Sequence, residues 1–156
     1  MAETKSKTGF IKTPSGVERS IQTIQGALLC EETIVLLGKH SKTIDFKQYD
    51  SENVAGEVFK KLAIELLKGV VQKGDHFIEL PNGNLLRKGQ IMAIELITST
   101  YKGFILRNDS DEIVDFVSLP DESQHELFKD ELLKALEVQV SKTKVYQPDW
   151  GKLGLR

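Results

Sequence analysis

Apolar residues along this chain follow two rhythms, and each rhythm occurs twice. From Phe10 to Lys47 they come as short runs and alternations broken by turn formers, and from Val54 to Val70 they recur in pairs every four residues. The same succession returns from Phe77 to Val117 and then from Phe128 to Leu136. A period of two marks a strand with one buried face, and a period of 3.6 marks a helix with one apolar stripe. Strands are therefore predicted at 10–13, 20–29, 33–37 and 43–47, and again at 77–80, 90–98, 103–107 and 113–117. In the last strand of each set the alternation puts Ile44 and Phe46 inward and Asp45 outward, with Asp115 outward in the second set.

The first predicted helix carries its stripe on Val54, Ala55, Val58, Phe59, Leu62, Ala63, Leu66 and Leu67, with Asp50 or Ser51 placed to cap it. In the second, Pro120 suits the first helical position, Asp121 and Glu122 suit the positive end of the helix dipole, and Phe128, Leu132, Ala135 and Leu136 form the stripe.

Sliding the chain on itself aligns the two sets. FIKTPSG at 10–16 matches FIELPNG at 77–83, Phe10 falling on Phe77 and Gly16 on Gly83. At a slightly larger offset Ile21 and Ile24 are read against Ile91 and Ile94, and Ile44-Asp45-Phe46 against Val114-Asp115-Phe116. Phe59-Lys60 matches Phe128-Lys129 at an offset between those two. Shared periodicity alone would not reproduce the Pro-x-Gly turn, the mid-strand aspartate and the Phe-Lys pair in one order. The expected fold is α+β: a tandem duplication of a ββββα unit, with antiparallel sheets each covered by one helix and the units related by a pseudo-two-fold axis. Residues 1–8 read as a tail, 9–74 and 75–139 as the two repeats fused into one domain, and 140–156 as an extended arm.

Composition adds limits. With 40% hydrophobic and 28% charged residues the chain is an ordinary soluble globular sequence, and its aliphatic runs are too short to span a bilayer. Cys30 is the single cysteine, which excludes an internal disulfide and a thiolate zinc cluster, fits a cytoplasmic location, and is expected to be a small buried hydrophobe.

Candidate chemistry is sparse. GKHSKT at 38–43 lacks the earlier glycine of a phosphate loop and reads as a turn. Asn108, Asp109, Asp111 and Glu112 lack the central glycine and distal glutamate of a calcium loop. His40, His76 and His125 have no second ligand at metal spacing, and His125 reads as a structural histidine at the edge of its helix stripe. Asp45 and Asp115 could pair for acid–base work only if the axis brought them together. No cofactor, metal or catalytic residue is assigned, and the expectation is not an enzyme.

Charge separates the halves although the net value is only −2. Residues 1–73 hold eleven basic against nine acidic side chains, and residues 74–139 hold six against thirteen. Aligned positions have opposite sign: Lys12 with Glu79, Lys39 with Asp109, Lys42 with Glu112. These six residues, together with Tyr146 and Trp150 of the arm, are the candidate partner-binding set. They suggest a non-catalytic interaction or assembly protein that self-associates or holds a protein partner through complementary rims and an aromatic anchor.

The order of elements resembles that of Whirly and PUR-type single-stranded nucleic-acid-binding proteins. That resemblance implies nucleic-acid binding, against which the acidic second half weighs. A small-ligand pocket between the repeats is a further expectation.

Overall fold

The computed structural model describes residues 9–69, 71–72, 75–137 and 146–155. The predicted tail at 1–8, Val70 at the end of the predicted helix stripe, and positions 140–145 and 156 of the predicted arm lie outside the described residues. The elements run β1 (Phe10–Lys12), β2 (Glu18–Ser20), β3 (Gly26–Cys30), β4 (Thr33–Leu37), β5 (Thr43–Gln48), α1 (Glu52–Gly69), β6 (Val71–Gln72), β7 (Asp75–Glu79), β8 (Leu85–Arg87), β9 (Ala93–Thr98), β10 (Lys102–Arg107), β11 (Ile113–Ser118) and α2 (His125–Glu137). The mixed α+β class and antiparallel pairing agree with the sequence reading.

The second strand expected at 20–29 is broken by a 3-10 turn at Ile21–Thr23, and the one expected at 90–98 starts only at Ala93, after a matching 3-10 turn at Lys88–Gln90. Ser20 Oγ accepts from the Gln22 amide at 3.3 Å and starts the first of these turns, so the chain leaves the hairpin before re-entering a sheet. Ser51 caps α1, its Oγ accepting from the Val54 amide at 3.2 Å. α2 begins later than predicted, because Asp121 caps a preceding 3-10 turn and leaves Pro120 outside the helix.

The local geometry of the two halves runs in parallel. Both first hairpins close through a positive-φ glycine, Gly16 and Gly83, with Thr13 N bonded to Val17 O and Leu80 N to Asn84 O at 2.8 Å each. A β-bulge interrupts β4–β5 between Leu36 and Leu37, and another interrupts β10–β11 at the aligned place, between Leu106 and Arg107. Strand pairing corrects one alignment: the two 3-10 turns end on Ile24 and Ile91, so Ile24 corresponds to Ile91 and not to Ile94. The change of offset falls in the longer β9–β10 turn.

Pairing between the halves runs one way. β5-β4-β3-β8-β7-β6 form one six-stranded sheet, in which the second half's hairpin extends the first half's sheet through Gly26 opposite Leu86 and Ala27 opposite Leu85. The reciprocal joint is missing among the described residues: β1–β2 form their own two-stranded sheet, and β9 ends the sheet β11-β10-β9. This replaces the expected two-fold pairing of two equal sheets.

Alternation along β7 and β8 explains how the joint works. Phe77 and Leu85 enter a first core with Ile11, Ile24, Leu36 and the α1 stripe, while Ile78, Leu80 and Leu86 enter a second core with Phe104, Val117 and the α2 stripe. Leu85 and Leu86 are both fully buried, each stabilising the fold by about 1.5–3 kcal/mol. Phe59 and Phe128, predicted counterparts, are both buried under their helices.

Phe46 departs from prediction and is 64% exposed, because it lies opposite Val35 on an edge strand and on the face away from α1. Asp45 instead lies opposite Leu36, on the α1 side. Cys30, expected inside, is exposed as the last residue of β3 before the turn.

Candidate interaction surfaces

Asp45 and Asp115 are each held by the hairpin turn of their own half. Asp45 accepts from Ser15 Oγ and from the Ser15 amide. Asp115 accepts from Asn82 Nδ2 at 3.1 Å and Asn84 Nδ2 at 3.0 Å. Ser15 and Asn82 occupy the same position of the Pro-x-Gly turn, so the matched aspartates do matched structural work and do not form a carboxylate pair.

Tyr146 and Trp150, expected as a free anchor, are docked on the second half of their own chain. Trp150 is 1% exposed, stacks on Phe128 with ring centroids 5.2 Å apart, and donates its indole N–H to Glu79 O at 2.7 Å. Gln147 Nε2 donates to Phe77 O at 2.6 Å, along the outer edge of β7. Tyr146 donates its hydroxyl to the Glu131 carboxylate, and Lys134 Nζ lies 5.0 Å from its ring centroid. The bond to Glu131, then burial and nearby carboxylates, pushes the Tyr146 phenol up to about 12. An indole needs both apolar contact and an acceptor for its N–H; Phe128 and the Glu79 carbonyl supply them.

The corresponding place in the first half is open. Between the β1–β2 turn and α1 runs a groove of about 430 Å³, which no described residue fills. Val58 and Leu62 line it from α1 and Tyr49 from beyond β5, with Lys12, Lys47 and Lys61 at the rim and Glu65 the one acid. Lys12, Leu62 and Glu65 stand where Glu79, Glu131 and Lys134 hold the arm. Thr13, Lys47 and Tyr49 stand where the second half has buried Leu80, Val117 and Leu119, so the first groove is wetter and more basic. Burial, then the Asp45 carboxylate, raises the Tyr49 phenol above its ordinary value.

A second aligned pair lines a cleft within the chain. Lys39 and Asp109 line one cleft between the halves, where Asn108 Nδ2 donates to Ser41 Oγ at 3.0 Å. Asn108 also organises the acidic turn, its Oδ1 accepting from the Ser110 and Glu112 amides and its Nδ2 reaching Glu112 at 3.3 Å. Lys42 and Glu112 are exposed at the ends of these turns.

Two residues that sequence reasoning missed fasten the halves. Arg87 is 4% exposed, donates from Nε to Ile24 O at 2.7 Å and from Nη2 to Ile21 O at 2.6 Å, and lies over the Phe77 ring. Asn84 accepts from the Leu29 amide at 2.8 Å while donating to Asp115. The available signal was the unbroken run Leu85-Leu86-Arg87, which lacks the alternation of a one-faced strand.

The other candidate groups have structural settings. His125 is buried, with Nε2 2.8 Å from Leu119 O and its ring edge-on to Phe104. The Cys30 thiol is pushed above its ordinary value by burial and then by the charges of Asp115 and Glu31. Among the described residues no three His, Cys, Asp or Glu side chains gather as a metal set, and no helix is long and apolar enough to cross a membrane.

No protein-family model and no curated relative matches the chain. Among solved structures it is similar to a LytTr DNA-binding domain from Bacillus cereus. The two share 18% identity over 80% of this chain and 94% of that one, with a TM-score of 0.43.

Proposed function

We propose that the chain is an internally duplicated, non-catalytic protein-interaction module whose first half binds an extended segment of a partner. The reading rests on one observation. The second half's groove holds Trp150 and Tyr146 of the chain's own arm, while the corresponding first-half groove is open among the described residues and rimmed by Lys12, Lys47 and Lys61.

The recurring hydrogen bonds, bulges and glycine turns support duplication, and on that reading the arm is a guide to the kind of guest the first groove takes. An aromatic side chain would lie against Val58 and Leu62, and carboxylates of the same segment would meet the lysine rim. Such rim charges act mainly on association rate and orientation, while the buried aromatic supplies most of the affinity. A second copy of the chain is the weaker candidate, because Trp150 is buried and cannot serve as the anchor in a neighbour's groove.

The test uses the full chain and a fluorescein-labelled peptide with a Pro-Asp-Trp core flanked by glutamates, with labelled oligothymidylate in parallel. Saturable peptide binding that weakens with salt and is lost in the Lys12→Glu, Lys61→Glu double variant supports the proposal. Oligothymidylate binding lost in the same variant would transfer the groove to single-stranded nucleic acid, the alternative given by the resemblance to Whirly and PUR-type proteins. Binding of neither, with the variant folded, removes the groove as a site.

A further inference from the structure

The cleft between the halves lies away from the arm-like groove and has its own chemistry. It encloses about 570 Å³, within the range of small-molecule sites, and both halves line it: Arg19, Gln22, Lys39 and His40 from the first, Gln90 and Asp109 from the second. Its charge is lopsided, with two cationic side chains and an imidazole facing one carboxylate.

Arg19 is the most informative member. Its Nε is shut off from solvent and has no hydrogen-bond partner among the described residues, and its Nη2 donates to Ile44 O at 3.5 Å. A guanidinium presents five donors in a planar fork, and among the described residues the protein takes up one of them. Arg19 also lines the cleft, where the planar guanidinium matches a ligand that presents paired oxygens.

The rim carries a second irregularity. His40 and Ser41 both lie in the left-handed region at φ 59°, while in the matching turn only Asp111, the counterpart of Ser41, does so, at φ 62°. The His40 conformation thus has no counterpart. The left-handed region is unfavourable for a residue with a β-carbon, and His40 adopts it where its side chain lines the cleft together with Lys39. The base of the cleft is tied across the halves, Ser41 Oγ donating to Gln90 Oε1 at 3.1 Å, so the cationic groups stand on a braced frame.

We propose that this cleft binds a small ligand through a compact oxyanion, a phosphate or a carboxylate, with Arg19 as its principal contact and Lys39 and His40 closing over it. Asp109, the one carboxylate of the lining, disfavours extended polyanions and leaves the site to one anionic group. The site does not depend on the groove proposed above, and either can fail alone.

The experiment titrates the ¹⁵N-labelled full chain with inorganic phosphate and, separately, with sodium acetate, against sodium chloride at matched ionic strength. Saturable amide shifts confined to residues 38–41 and to Gln90 are expected with one or both oxyanions and not with chloride. Arg19→Gln is expected to weaken binding by about tenfold or more, the loss of one charge-assisted hydrogen bond. Lys39→Ala, on an exposed turn, is expected to weaken it less, and it keeps the test intact should Arg19→Gln fail to fold. Response to phosphate alone or to acetate alone supports the site and names its oxyanion. Shifts that never saturate, that chloride reproduces, or that survive in both variants overturn it.

Discussion

Arg87→Met should loosen the joint between the halves more than any exposed substitution. The side chain enters the core at the β3–β8 seam and donates to Ile24 O and Ile21 O at 2.7 and 2.6 Å. Hydrogen bonds from a charged donor contribute about 1.5–3 kcal/mol each, which sets a gross loss of about 3–6 kcal/mol. Ile21 O keeps a second donor, the Ile24 amide at 3.0 Å, which softens the loss on that side. Methionine fills much of the same volume and removes the cost of burying a cation, so the net destabilisation is about 2–4 kcal/mol. For a chain of this size that lowers Tm by about 5–15 °C.

Guanidinium chloride and thermal unfolding followed by circular dichroism would measure it, with Arg87→Lys recovering part of the loss through a single donor. Because the bonds are buried, the difference from wild type should persist in high salt. A variant within about 0.5 kcal/mol of wild type would mean that Arg87 merely fills space and that Leu85 and Leu86 carry the seam.

Three further outcomes follow from the same geometry. Trp150 is the sole tryptophan, so its emission reports arm docking; the Tyr146 phenol is pushed to about 12 from an ordinary 10. A raised folded-state value means that the stabilisation is complete below the unfolded value and fades as pH rises from about 10 to 12, so the emission should shift red in that window, and Tyr146→Phe should abolish this dependence. Cys30, although exposed, should react with a disulfide reagent at neutral pH more slowly than free cysteine, and Asp115→Asn should speed it by removing a charge that raises the thiol. Trp150→Ala, which removes the stack on Phe128 and the bond to Glu79 O, should cost about 3–5 kcal/mol in denaturant melts.

Sequence periodicity located what local physics determines. The stripe from Val54 to Leu67 predicted α1 at Glu52–Gly69, and the Pro-x-Gly turns closed the hairpins where their glycines accept positive φ. Facing was harder. A bulge at Leu36/Leu37 and the edge position of β5 leave Phe46 exposed and Asp45 turned toward the hairpin, and an alternation count carries no information about either. The arm illustrates a second limit: an aromatic among polar residues needs a pocket, and composition does not say whether that pocket belongs to the same chain. The charge reversal at Lys12 and Glu79 was visible, yet its meaning, an open groove beside a filled one, required the packing.

The one-way joint raises a physical problem that the sequence of the first hairpin resolves. If β8 can add to β3, then β2, its counterpart, could add in another molecule to the edge of β9, which is free among the described residues, and such head-to-tail contacts build rings or open filaments. Where the second hairpin has Leu85-Leu86-Arg87, the first has Glu18-Arg19-Ser20, so the same docking would bury a carboxylate where Leu85 sits and would lack the Arg87 bonds. The receiving edge differs too. A β-carbon on Gly26 would come within 2.9 Å of Leu86 Cδ2, and the matching position on β9 is Ala93. These substitutions act against polymerisation at both ends of the joint. Restoring them together, as Glu18→Leu, Arg19→Leu, Ser20→Arg and Ala93→Gly, should give species whose sedimentation grows with concentration more steeply than that of the unaltered chain, in low and high salt alike. If this quadruple variant stays folded and sediments as the unaltered chain does, β2 and β8 are not interchangeable, and the equivalence of the two hairpins fails with it.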